Sequence, residues 1–127
     1  MSLQLILPVA AGGAIGSVAR YLVGVGVGRA FGTSFPCGTL TINVTGSALI
    51  GALVGLFALR WNLPEVARVF LTVGICGGYT TFSTFSLDAF YLIERGQTVA
   101  AAAYIIGSVV LSIAALVGAM HLVRAIS

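Results

Sequence analysis

Four apolar runs set the terms for this chain. They cover residues 3–28, 37–59, 67–93 and 99–123. Each exceeds the about 20 residues that an α-helix needs to cross a hydrocarbon core. A backbone in lipid must satisfy its own hydrogen bonds, so runs of this length fold as helices. The joins are short: Arg29 to Pro36, Arg60 to Glu65, and Arg95-Gly96-Gln97. Pro64-Glu65 suits a helix start, with proline in the first turn and an acid at the positive end of the helix dipole. The expected architecture is an all-α integral membrane protein. Its 127 residues would form a single four-helix domain with both termini on one side.

Composition narrows the function. Charged residues make up 7% and hydrophobic ones 59%, against roughly 25% charged in soluble domains. Mean hydropathy is +1.13, which excludes a soluble globular domain. The first run lacks a basic n-region and is too long for the apolar core of a removable signal peptide, so it is expected to stay. The basic residues are all arginine and stand singly, giving no clustered footprint for nucleic acid. Cys37 and Cys76 read as small buried hydrophobes. No Cys/His pair, Ser/His/Asp set, metal-ligand cluster or phosphate loop is present, so an enzyme is not expected.

Arginines near helix ends set the orientation of a membrane protein. Arg60, Arg68 and Arg124 would fall on one face, Arg29 and Arg95 on the other. Three against two is almost no instruction, and the chain could insert either way round. An antiparallel homodimer with a two-fold axis in the membrane plane is then possible. Four thin helices also make a poor pore alone. Gly12/Gly16, Gly24/Gly28, Gly51/Gly55 and Gly74/Gly78 have the small-xxx-small spacing that lets helices approach closely.

The third run is interrupted near its centre. From Gly74 to Ser86 it carries three glycines in five positions, then six hydroxyl residues and two phenylalanines. Glycine costs about 1 kcal/mol relative to alanine inside a helix, so a break is expected at Gly77-Gly78. A break at membrane depth frees carbonyls that must find partners in protein, water or an ion, and reads as an ion or substrate site.

Polar residues elsewhere point the same way. Thr39, Asn43 and Ser47 share one stripe of the second run, and Tyr104, Ser108 and Ser112 one stripe of the fourth, both at i, i+4, i+8. The Asn43 amide offers two N–H donors to an anion and an acceptor to a neighbour, or an interhelical hydrogen bond that holds the bundle. Single serines in spans back-bond to their own helix, whereas three hydroxyls in register make a polar track. Phe82 and Phe85 lie on nearly one face, with Thr81, Thr84 and Asp88 on an adjoining one. Phenyl edges are electropositive and can meet an anion without the full charge that would trap it. Arg20, inside the first run, either snorkels to the interface or serves as a vestibule cation. Asp88 is the one acid inside a run; pairing with an arginine, facing water and carrying a proton all stay open. Neutral, hydroxyl-rich donors suit a small, hard, strongly hydrated anion.

Three stretches carry a resemblance. Gly12-Gly13-Ala14-Ile15-Gly16-Ser17-Val18-Ala19-Arg20-Tyr21, Gly38-Thr39-Leu40-Thr41-Ile42-Asn43-Val44-Thr45-Gly46-Ser47 and Gly77-Gly78-Tyr79-Thr80-Thr81-Phe82-Ser83-Thr84-Phe85-Ser86 resemble, in order, the Fluc (CrcB-type) fluoride channels. The likeness covers the whole chain. It implies a dual-topology antiparallel homodimer in the bacterial cytoplasmic (inner) membrane, with a third helix broken mid-membrane. Two pores would export toxic fluoride passively and confer fluoride resistance. Phe82 and Phe85 would line the fluoride path, with Asn43 and Thr84 beside them. Tyr104, Ser108 and Ser112 would be the hydroxyl track, Thr39 nearby and Arg20 in the vestibule. Gly77 and Thr80 would give backbone carbonyls, from both subunits, to a structural sodium ion (Na+). At Asp88 the family tends to carry the longer glutamate. The competing reading is a small multidrug-type, dual-topology, proton-coupled exporter. It needs a carboxylate in the first span, and that run holds no acid.

Overall fold

The computed structural model describes residues 3–59 and 62–126, and every element in it is helical. A 3-10 turn at Leu3–Leu5 leads into α1 (Ile6–Phe31), followed by α2 (Cys37–Leu59). The third apolar run forms α3 (Glu65–Val69), a π-helical stretch (Phe70–Cys76), α4 (Gly77–Tyr79) and α5 (Phe82–Glu94). The last element is α6 (Thr98–Ile126). Arg60, one of the arginines in the orientation argument, lies outside the described residues.

Three helices, Leu3–Phe31, Cys37–Leu59 and Thr98–Ile126, are long and apolar enough to cross a membrane. The third run yields no single helix of that length because Thr80 (φ −81°, ψ 158°) and Thr81 (φ −151°, ψ 121°) are extended. Gly77 and Gly78, where the sequence suggested the break, stay helical: Gly77 has φ −64° and ψ −37°. The break falls after them.

Packing explains what those glycines do instead. α1 lies along the π-helical stretch and α4, while α2 lies chiefly along α6. A Cβ on Gly78 would stand 2.7 Å from the Gly13 carbonyl oxygen, and one on Gly12 would stand 2.8 Å from Gly74 Cα. A Cβ on Gly16 would fall onto the Ile75 carbonyl, and one on Gly51 onto that of Leu116. Backbones therefore touch at both crossings, where membrane helices gain their attraction from close van der Waals contact. At Gly28 an added Cβ would meet only Thr33, at an ordinary 3.7 Å.

Glycines also end two helices. Gly32 (φ 79°) closes α1 with its N–H on the Gly28 carbonyl at 2.8 Å, and Gly96 (φ 77°) follows α5 with its N–H on Ile93 at 3.0 Å. These left-handed conformations suit glycine. Arg29 thus sits in the last turn of α1 rather than in the connection.

Enlarging a residue at a backbone crossing forces the helices apart, at about 1–3 kcal/mol or more. Gly16→Val should lower the melting temperature in detergent and broaden the gel-filtration peak. Gly26→Ala, with nothing within 4 Å of the added Cβ, should leave both unchanged.

Candidate functional site

Leaving the helix at Thr80-Thr81 strands backbone groups that lipid cannot satisfy. Asn43 of α2 takes up both groups of Thr81. Its Nδ2 donates to the Thr81 carbonyl at 3.0 Å, and its Oδ1 accepts from the Thr81 N–H at 2.9 Å. Had the helix continued, that N–H would have gone to the Gly77 carbonyl, four residues back. The Thr81 side chain then caps α5, its Oγ1 accepting from the Thr84 N–H at 3.1 Å. Thr81 is only 8% exposed, so a buried extended residue is held on three sides. One Asn43 N–H remains beyond this clamp.

A cavity of about 440 Å³ lies on one side of the break. Asn43, Ser47, Gly77, Thr80, Phe82, Phe85, Ser108 and Ser112 all line it, drawing on α2, α4, the break, α5 and α6. Four hydroxyls of the membrane segments are back-bonded to their own helix: Thr45 on Thr41, Thr72 on Arg68, Thr80 on Cys76 and Ser86 on Phe82. Ser108 is different. Its Oγ is buried with no hydrogen-bond partner among the described residues, in a residue 6% exposed. An unmade hydrogen bond there costs about 1–3 kcal/mol.

The two phenylalanines differ in setting. Their ring centroids are 5.5 Å apart at 46°. Phe85 also packs on Tyr104, centroids 5.2 Å apart, whereas Phe82 is 79% exposed at the cavity rim.

A second cavity, about 610 Å³, lies on the other side and runs from the 32–36 connection down to the break. Arg20, Thr39, Thr81, Thr84 and Asp88 line it. The Asp88 carboxylate is held by hydroxyls: Thr39 Oγ1 donates to its Oδ2 at 2.7 Å and the Tyr104 hydroxyl at 3.2 Å. Arg20 shares the cavity, but the carboxylate is anchored without it. Tyr104, 1% exposed, is thereby turned away from Ser108 and Ser112, so the stripe read from sequence divides. Thr84 accepts a hydrogen bond from Thr81 Oγ1 at 3.1 Å.

The site therefore gathers Asn43, Phe82, Phe85, Ser108, Ser112, Gly77 and Thr80 around one cavity, and Arg20, Thr39 and Thr84 around another. Thr81 lines both and went unselected in the sequence reading. Its signal was available: it stands two residues after the helical glycine-tyrosine turn and three before a threonine whose N–H needs a cap.

The sequence model described as CrcB-like protein, camphor resistance (CrcB), matches residues 7–120. This chain belongs to the CrcB family. A CrcB-family relative from Nitrobacter winogradskyi, named fluoride-specific ion channel FluC, is 68% identical over 99% of this chain and 100% of its own. Fluoride-specific ion channel FluC 1 of Nitrobacter hamburgensis is 67% identical over 98% of each chain. The FluC of Rhodospirillum centenum is 52% identical over 96% of this chain and 97% of its own. With its three apolar membrane-length helices, this CrcB-family chain is an all-helical membrane protein.

Removing the Asn43 amide leaves a buried N–H and a buried carbonyl unpaired, each worth about 1–3 kcal/mol. Asn43→Ala should therefore melt well below the unsubstituted protein in detergent. Asn43→Gln, which keeps the amide on a longer stem, should lose less.

Proposed function

We propose that the chain is a fluoride-selective passive channel that lets fluoride leave the bacterial cytoplasm across the inner membrane. The observation that carries this reading is 68% identity over 126 residues to a protein named fluoride-specific ion channel. The cavity supplies fitting chemistry. Fluoride is small and strongly hydrated, so a path through the membrane must replace its water with donors. Ser108, Ser112 and the remaining Asn43 N–H are neutral donors, and the phenyl edges of Phe82 and Phe85 are electropositive. Such contacts are strong enough to admit the ion and weak enough to release it. Arg20 raises the anion concentration in the adjoining vestibule. Thr39 and Thr84 stand in the vestibule wall, and the Tyr104 hydroxyl reaches it through Asp88.

The working form is an antiparallel, dual-topology homodimer with four spans per subunit, the broken third run counted as one. Phe82 is compatible with this: its ring, 79% exposed, stands at the rim of the cavity that carries the Asn43, Ser108 and Ser112 side chains. A second copy, inverted, would bring the same surface and make two pores.

A sodium ion fits the break. With the Thr81 N–H turned to Asn43, the Gly77 carbonyl leaves the helical ladder, and extended Thr80 points its own carbonyl off the helix axis. Unwound carbonyls suit Na+ at membrane depth. Gly77 and Thr80 would hold it, and the ion would tie the two subunits together at their breaks.

Anion efflux from proteoliposomes tests the reading. Potassium-loaded vesicles given valinomycin should release fluoride quickly and chloride negligibly; equal release of both would refute selectivity. Phe82→Ile and Phe85→Ile should cut fluoride release at least about tenfold, the loss of about 1.4 kcal/mol, while the protein stays folded. Ser108→Ala should also slow release without lowering the melting temperature, because no existing hydrogen bond is lost. For the ion, exchanging sodium for a bulky organic cation during purification should lower dimer stability on gel filtration. A dimer indifferent to sodium would remove that assignment.

A further inference from the structure

Phe85 stands between two rings of unequal freedom. On one side is Phe82, 79% exposed, and on the other Tyr104, 1% exposed. The buried ring is the one able to fix it. Tyr104 is itself gripped from several directions. Phe35 of the 32–36 connection meets its ring edge-on, centroids 5.7 Å apart at 87°, and Ala89, Leu92 and Ala101 share its buried cluster. Its hydroxyl donates to Asp88 Oδ2 at 3.2 Å, the same oxygen that takes Thr39 Oγ1 at 2.7 Å. Phe85 and Asp88 are three residues apart on α5, which makes them neighbours on one face of the helix. Tyr104 therefore meets α5 at two successive points, its ring on Phe85 and its hydroxyl on Asp88. Thr39 of α2 steadies that carboxylate from a third helix.

Asp88 lines the second cavity and Phe85 the first. We infer that Asp88 is a positioning residue for the first cavity: it acts through Tyr104 to hold the Phe85 ring in the cavity wall. The inference rests on the fluoride-channel reading. A phenyl ring offers an anion either its positive edge or its negative face, so whatever fixes the ring's orientation sets how well the cavity takes fluoride. Both hydroxyls meet a single oxygen, so the role needs an acceptor at that point and not a charge.

Fluoride efflux from proteoliposomes tests it, together with fluorine NMR on protein carrying para-fluorophenylalanine in place of Phe85. Asp88→Leu, which removes the acceptor, should slow fluoride release several-fold and shift or broaden the fluorine line. Tyr104→Phe, which keeps the ring and loses the donor, should act in the same direction. The two substitutions together should cost no more than Asp88→Leu alone. Asp88→Asn, which offers one oxygen to both hydroxyls, should rescue most of the loss in release and restore the line. In a Phe85→Ile background, Asp88→Leu should slow release no further. A loss in Asp88→Asn as large as in Asp88→Leu overturns the inference, and so does a fluorine line that Tyr104→Phe leaves unmoved. The Tyr104→Phe result decides the matter even where Asp88→Leu fails to fold. Absence of fluoride efflux from the unsubstituted protein would remove the fluoride reading itself, while the fluorine line would still report whether Tyr104 and Asp88 hold Phe85.

Discussion

A single side-chain amide makes the rest of the structure possible. Two consecutive residues of extended backbone inside a membrane protein are costly unless something replaces their helical hydrogen bonds. Asn43 does so for Thr81 in both directions, at 3.0 and 2.9 Å. The consequences spread along the chain. With its backbone anchored, Thr81 can turn its hydroxyl to cap α5. With α5 started there, Phe82 and Phe85 stand at the rim of one cavity and Asp88 in the wall of another. Of the two readings the sequence offered for Asn43, the structure holds the interhelical hydrogen bond. Two of its hydrogen-bonding sites go to Thr81, and the same side chain lines the cavity with one N–H left over.

The hydroxyl groups are divided by the same logic. In an apolar surrounding each must be satisfied locally, engaged across helices, or left unpartnered at a free-energy cost. Thr45, Thr72, Thr80 and Ser86 take the first course on their own helices. Thr39 and Tyr104 take the second on Asp88, joining α2, α5 and α6 around a core of Ala89, Leu92 and Ala101. Ser108 takes the third. Residue type alone does not separate these classes; which neighbours each hydroxyl meets in the fold does.

Much of this was legible in the residues, for identifiable reasons. Long apolar runs and scarce charge dictate helices, because the period and length of the pattern are local properties. The polar stretch after Gly74 announced an interruption for the same reason. Its location was misread: glycine's helix cost marked Gly77-Gly78, yet Gly78 packs against Gly13 of α1, the helix runs on through Tyr79, and the break falls at Thr80-Thr81. That contact is non-local, and no window of sequence contains it. The partners of Asp88 were out of reach on the same ground, since Thr39 and Tyr104 lie on two other helices. The stripe from Tyr104 to Ser112 was correctly placed on one helix face. Which member would be claimed by a carboxylate depended on the fold.

The π-helical stretch from Phe70 to Cys76 has a consequence for how such a chain can change over time. A π-helix closes its hydrogen bonds one residue later than an α-helix, so it carries surplus length in the same axial distance. This surplus sits between the start of α3 and the break. A one-residue deletion within it can be absorbed by tightening to an ordinary α-helix, without shifting Thr80-Thr81 against Asn43. The same deletion in α2 or α6 would rotate every later polar residue by about 100° around its helix axis, the angle set by 3.6 residues per turn. The surplus length thus lies next to the most constrained point of the fold, in the stretch that also carries the Gly74 and Ile75 contacts with α1.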